Sequence, residues 1–220
     1  SWDLGQETLN AVTAQIGDTI YAAYIGIGVT RYDISTSSWL SSWNNANGIL
    51  PNDEVTALEV DTNNRNNLWI GGSFGLMLIN SSTSLIEESF PPGTSNSGNV
   101  ELPNESPQEL IIHNNVMYYI TYHDGRDQNE IVSRLDLASM TTLSDIDVSD
   151  RLGDNAWIHS AGMSGDILLI GVSEANWQNP NPGGIFRWNT SSESWDDDWE
   201  PTEPILRVNA NVIGNYMYVA

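Results

Sequence analysis

The residues able to do chemistry are few in kind. His113, His123 and His159 are the only histidines, and there is no cysteine among the 220 residues. Disulfides, zinc fingers and iron–sulfur clusters are therefore excluded. A metal site built on the histidines would need carboxylate partners, and the cation that suits an oxygen-rich chain is calcium. Asp124, Asp127 and Glu130 in one stretch, or Asp145, Asp147 and Asp150 in another, are its candidate ligands. Neither set has the Asp-x-Asp-x-Asp-Gly spacing of an EF-hand loop, so the expectation is a chain without a metal or other cofactor. Glycoside hydrolysis asks for two carboxylates roughly 5–10 Å apart. With 29 acids the chain has material for such a pair, but spacing in sequence does not select one. The sequons Asn80-Ser81-Ser82, Asn104-Glu105-Ser106 and Asn189-Thr190-Ser191 are what a chain rich in Asn, Ser and Thr supplies by chance.

Charge narrows the partners. All 7 basic residues are arginine (31, 65, 126, 134, 151, 187 and 207), and the formal net charge is −22. Such a surface repels phosphate backbones and anionic lipid, so neither nucleic acid nor an acidic membrane is expected as a partner. High salt suits it, because a Debye length of roughly 4–5 Å relieves repulsion between crowded carboxylates. The longest apolar runs, such as 167–172, fall far short of the roughly 20 residues a membrane span needs.

The elements that must position any site follow from an internal repeat. Asp18-Thr19-Ile20-Tyr21, Asn66-Asn67-Leu68-Trp69, Asn115-Val116-Met117-Tyr118, Asp166-Ile167-Leu168-Leu169 and Asn215-Tyr216-Met217-Tyr218 each place a polar turn before an apolar strand. They recur about every 49 residues. Each unit divides into short strands with turn residues between them, and no helix of three or more turns is evident. In the second unit the strands are expected at 55–60, 68–72, 76–80 and 85–90; in the first, at 12–16, 20–24, 29–34 and 39–43. Four antiparallel strands per repeat make a propeller blade. The fold predicted is an all-β propeller with four full blades (10–50, 53–92, 108–150 and 155–200) and a partial fifth (204–220), as one domain or a fragment of one.

Leu50-Pro51-Asn52-Asp53-Glu54-Val55-Thr56-Ala57-Leu58-Glu59-Val60-Asp61, followed by Leu68-Trp69-Ile70-Gly71 and Gly75-Leu76, resembles the two-component regulator propeller repeat of extracytoplasmic sensor domains. A weaker similarity is to kelch repeats, through Tyr32 with Trp39, Trp188 with Trp195, and the pairs Gly71-Gly72 and Gly183-Gly184. The resemblance implies an extracellular, periplasmic or cell-surface location and a recognition or scaffold role rather than catalysis. The alternative is a propeller enzyme, a glycoside hydrolase or lyase acting on polysaccharide, with acids at the mouth of the central channel. His113 and His159, near the ends of inner strands of successive blades, would then stand close to that channel.

Within a blade the strands alternate in direction, so connections between strands two and three share a face with connections between blades. The long segments 91–107, 123–130 and 173–184 are all of these kinds. Loops of this length are frequently functional. The candidate ligand-binding residues are therefore His123, Asp124, Arg126 and Asp127 in the third blade, with Asn176, Trp177 and Asn179 in the fourth. A tryptophan stacking on a sugar ring, with amides and carboxylates taking hydroxyls, would make the ligand a glycan or a comparable small molecule. The fifth unit supplies two strands only, and an unpaired edge recruits other chains. Either the chain is a piece of a longer propeller or two copies pair through the open blade edges.

Overall fold

The computed structural model describes residues 12–93, 102–121, 131–148, 156–174, 184–196, 210–213 and 216–219. The chain is an all-β propeller. Two compact units divide it, Ser1–Ile112 and His113–Ala220. The first unit contains a sheet of β1 (Val12–Ile16), β2 (Thr19–Tyr24), β3 (Gly28–Asp33) and β4 (Ser38–Trp43), and a second of β5 (Val55–Val60), β6 (Asn67–Gly72), β7 (Gly75–Asn80) and β8 (Ile86–Phe90). A third sheet is formed by β9 (Glu109–His113), β10 (Val116–Ile120), β11 (Ile131–Asp136) and β12 (Thr141–Asp147). The fourth holds β13 (Ala156–Ser164), β14 (Ile167–Glu174), β15 (Gly184–Asn189) and β16 (Ser194–Trp195), and a hairpin of β17 (Ala210–Ile213) and β18 (Tyr216–Val219) follows. In every sheet the strands lie in chain order.

The repeat seen in sequence is a repeat of register. Tyr21 pairs with Arg31, Trp69 with Leu78, Tyr118 with Arg134 and Leu169 with Arg187. All four second-strand residues are buried. Tyr21, Ala23, Val29 and Trp43 on one face of the first sheet join Leu58, Leu68, Ile70, Met77 and Ile79 of the second sheet in a single apolar cluster. Period-two alternation explains which residues take part, because successive side chains of a strand point to opposite faces. In β6 every residue is buried, the mark of a strand covered on both faces. Gly71 is required there by close approach, since a Cβ would collide with the ring of Pro107.

Each hairpin between strands three and four is built the same way. Asp33, Asn80, Asp136 and Asn189 each accept, at Oδ1, the backbone N–H groups two and three residues on. The fourth residue after each, Ser37, Ser84, Met140 and Glu193, has a positive φ of 50–59°. An Asx side chain replaces the hydrogen bonds a tight turn leaves open, and this offsets the left-handed residue. One correction to the expected strand ends follows: Ile34 is the second residue of a turn, not the end of β3, because Asp33 already caps that turn. Ile34, Ser81, Leu137 and Thr190 then donate their N–H to the carbonyls of Asp18, Asn66, Asn115 and Asp166, tying the first and third turns of each sheet together.

The outer strands β4, β8 and β12 each carry a bulge. A bulge frees a carbonyl from the ladder. Arg31 Nε donates to Ser41 O at 2.8 Å and Arg134 Nε to Ser144 O at 2.7 Å, so the arginine of strand three fills the gap in strand four. Arg134 is only 4% exposed and also reaches Glu193 Oε1 at 2.8 Å, with its guanidinium over the Trp188 ring.

Three measurements of stability follow. Trp69 stacks on Phe90 at 6.3 Å, and its indole N–H finds no acceptor among the described residues, so its contribution is packing. Trp69→Ala should cost about 3–5 kcal/mol in a denaturant titration, and a loss under about 1 would disprove its burial. Glu193→Gln takes the carboxylate away from the nearly buried Arg134 guanidinium, which cannot be solvated in its place, and should cost about 1–3 kcal/mol. Arg134→Ala should cost about 2–4, because it strands the Ser144 carbonyl and removes packing on Trp188.

Candidate functional site

The seven candidate ligand residues, His123, Asp124, Arg126, Asp127, Asn176, Trp177 and Asn179, lie outside the described residues. So do residues 94–101 of the segment between the second and third sheets. The face rule behind their choice can be examined where the chain is described. Gly26 N, in the turn between strands two and three of the first sheet, donates to Asp53 O in the connection to the second sheet at 2.9 Å. That connection is a folded polar loop, with Asn45 N bonded to Asp53 Oδ1 at 2.6 Å and Asn52 Nδ2 to Ser73 Oγ at 2.9 Å. Connections of these two kinds therefore meet at one end of a sheet, and the two hairpin turns meet at the other. In the second long connection Gly93 N donates to Leu102 O at 3.2 Å, and Thr56 Oγ1 bonds to Pro107 O.

A site that sequence spacing did not select lies on the first strands of the second and third sheets. Glu59 pairs across to Trp69 in β5–β6 and is only partly exposed. Burial, and then the charge of Glu109 on β9, push its carboxyl up to about 7. A carboxylate withdrawn from water next to another acid favours its neutral form, which is the condition of a proton donor near neutral pH. Its neighbours in Val55-Thr56-Ala57-Leu58-Glu59-Val60 are otherwise uncharged, and an acid in such a strand is the one signal that could have found it.

The histidines take different positions. His113 ends β9, and its Nε2 lies 2.8 Å from Asp166 Oδ1, in the turn between β13 and β14. Asn114 Nδ2 donates to the same oxygen at 3.1 Å. The bond from His113, with those of Ser191 and Asn114, holds the Asp166 carboxyl below the usual carboxylate range. The arrangement joins two turns through Nε2, a contact that is structural in form. His159 falls where β13 changes register against β14, and Thr56 falls at the matching irregularity in β5. Among the described residues no group of three His, Asp or Glu converges as metal ligands; Asp124, Asp127, Glu130 and Asp150 are outside them.

No protein-family model matches the chain, and no curated protein is similar to it in sequence. Solved structures show the fold. The computationally designed Ika8 protein superposes with a TM-score of 0.60 at 13% identity, over 96% of this chain and 55% of its own. The WD40 repeats of RRP9 give 0.60 at 11% identity, over 87% and 51%. The extracellular domain of the one component system BT4673 from B. thetaiotaomicron gives 0.61 at 15% identity, over 97% and 27%. The chain thus has a propeller fold of the kind seen in WD40 structures, and it spans about half or less of the length of these three structures.

The site and the turns together set a pH profile. Asp33 and Asp136 are held low by hydrogen bonds from their turns, and Asp166 by His113, so their stabilisation is lost as pH falls below the ordinary carboxylate range. Glu59 works in the opposite sense. Its raised value means the folded chain binds the extra proton between about 4.5 and about 7, so stability falls as pH rises through that window, by up to about 3 kcal/mol. Glu59→Gln should flatten this fall in urea titrations taken between about pH 5 and pH 8. A profile unchanged by the substitution would show that Glu59 ionises normally.

Proposed function

We propose that the chain is a non-catalytic recognition or scaffold module of an exported or surface protein, with carbohydrate as its ligand class. The observation that carries this reading is the likeness in fold, over 97% of the chain, to the extracellular domain of a one component system. The Leu50 to Asp61 segment, similar to the two-component regulator propeller repeat, supports the same kinship. It folds as a bonded loop leading into β5. WD40 neighbours support a scaffold role as readily as a sensing one. Among the described residues no helix is long and apolar enough to cross a membrane.

In this reading the ligand meets His123, Asp124, Arg126 and Asp127 together with Asn176, Trp177 and Asn179, the tryptophan stacking on a sugar face. Charge argues for a neutral or cationic glycan, since an anionic one would meet a net charge of −22. No cofactor is called for, and calcium remains the ion its acids would take.

A second reading, a polysaccharide-acting enzyme, draws on Glu59, a half-buried strand carboxyl pushed up to about 7 by burial and by the charge of Glu109, as the acid of glycoside hydrolysis must be. A glycan array run beside a hydrolysis assay on the bound glycans separates the two. The recognition reading expects binding without turnover, weakened at least about tenfold by Trp177→Ala and unaffected by Glu59→Gln. Turnover abolished by Glu59→Gln would replace it with the enzyme, and no binding to any neutral or cationic glycan would overturn carbohydrate as the ligand.

A further inference from the structure

The connection from β4 to β5, residues 44–54, is built by asparagine. The carbonyl of Asn44 accepts from Ile49 N and Leu50 N, both at 3.3 Å, and Leu50 seats the loop in the apolar cluster. Asn45 donates through Nδ2 to Pro51 O and through its backbone N–H to Asp53 Oδ1, each at 2.6 Å. At the tip stands Asn47-Gly48, the only Asn-Gly pair in the chain. The turn needs both residues. Gly48 has a φ of 74°, which a side chain would strain, and Asn47 supplies the side-chain acceptor that closes the turn.

The same pair is open to a reaction of its own. The backbone nitrogen of Gly48, once it has given its proton to hydroxide, can attack Cγ of Asn47, because residue 48 has no side chain to block the approach. A C–N bond forms, the Cγ–Nδ2 bond breaks, and ammonia leaves with a proton taken from water. Water then opens the succinimide at either carbonyl, which leaves aspartate or isoaspartate, and nothing is oxidised or reduced. In the folded loop both reacting groups are tied. Gly48 N donates to Asn45 O at 3.0 Å. The Asn47 carboxamide accepts from Asn44 N at 3.2 Å and from Ile49 N at 3.3 Å, and donates through Nδ2 to Ser42 O. Its backbone N–H is held by Asn44 Oδ1 at 3.0 Å. To reach the Gly48 nitrogen the carboxamide has to swing, and these bonds must break first.

We propose that Asn47 is a deamidation site gated by opening of this loop, and that its reaction loosens the loop irreversibly. The folded rate is then the rate of the free chain scaled by the small fraction of molecules in which the loop is open. The product cannot close as before. An aspartate oxygen takes the place of Nδ2 opposite the Ser42 carbonyl, which sets acceptor against acceptor. Isoaspartate also lengthens the backbone just ahead of Ile49 and Leu50, whose N–H groups must reach Asn44 O. The loop carries Asp53, whose carbonyl accepts from Gly26 N at 2.9 Å, so the loosening extends to the turn between β2 and β3.

The test is to incubate the intact chain at mildly alkaline pH, folded and in urea, and to follow aspartate and isoaspartate at this position by liquid chromatography and mass spectrometry of its peptides. Product is expected in urea, and at least about tenfold more slowly in the folded chain. Asn44→Ala removes the acceptor for Asn47 N without touching the reacting groups, and circular dichroism checks that it folds. It should speed the folded reaction at least about threefold and leave the rate in urea unchanged. Asn47→Asp, made directly, should raise hydrogen exchange at Ile49 and Leu50 at least about tenfold while exchange in β10 stays the same. Equal rates in the folded chain and in urea overturn the gate, and so does a folded Asn44→Ala chain that reacts no faster than the parent. No product at Asn47 in urea removes the site. Exchange unchanged by Asn47→Asp overturns the loosening.

Discussion

The constraint on which the structure depends is that a blade cannot bury both of its faces by itself. A four-stranded sheet of five- or six-residue strands has too little apolar surface to be stable alone. Stacking a second sheet on it changes this, because one face of each is then withdrawn from water at about 25 cal/mol for each square ångström of apolar surface. Tyr21, Ala23, Val29 and Trp43 meeting Leu58, Leu68, Ile70, Met77 and Ile79 is that event in the first unit. The aromatic on the second strand is central to it: Tyr21 lies 5.3 Å from Trp43 and Trp69 6.3 Å from Phe90. In both cases a second-strand ring is packed by an aromatic at the far end of the fourth strand.

Stacking imposes a problem at the outer edge, where the last strand presents an unpaired row of backbone groups. Bulges in β4, β8 and β12 disrupt those rows and at the same time leave a carbonyl unpaired. The arginine opposite the buried aromatic satisfies it in the first and third sheets. In the second sheet Leu78 stands at that position, and the bulged strand is held instead through Glu87, which accepts from Asn67 Nδ2 and Asn80 Nδ2. One mechanical requirement is thus met by two chemistries, which is why the sheets share a register while their sequences diverge.

How much of this was legible in the sequence depends on whether a feature is local. The spacing of Tyr21, Trp69, Tyr118 and Leu169 was visible because each follows a polar turn in the same strand, and the structure aligns all four by register. The shared turn was harder to see, since Asp and Asn, and Ser, Thr and Ala, exchange freely when the only requirement is a side-chain oxygen and two N–H groups. The arginine position was hidden further: Arg31, Arg134 and Arg187 are unevenly spaced because the loops before them differ in length, and Leu78 interrupts the series. Glu59 looked like any of 29 acids, because neither its burial nor the charge of Glu109, which lies on another sheet, shows in its own strand. The partnership of His113 with Asp166 spans 53 residues and has no local signature.

Acidity is the remaining property to be placed, and it bears on function through what it leaves over. Arg134 is buried and Arg31 is engaged with Ser41 and the Trp43 ring, while Arg187 lies 4.0 Å from Asp196. The cations at this repeated position are turned to holding sheets together, so few positive groups are left to balance the carboxylates outside. A recognition surface on such a molecule, if the proposed reading holds, would select against anions over a distance of about a Debye length before any contact is made. In the recognition reading proposed above, what would distinguish one neutral ligand from another is short-range: ring stacking, amide geometry and the shape of the long connections. Those connections vary from sheet to sheet, whereas the turns at the opposite end are all closed by the same Asx device. The invariant end fixes the strands, and that fixity is what allows the variable end to differ in sequence and length without disturbing the stack.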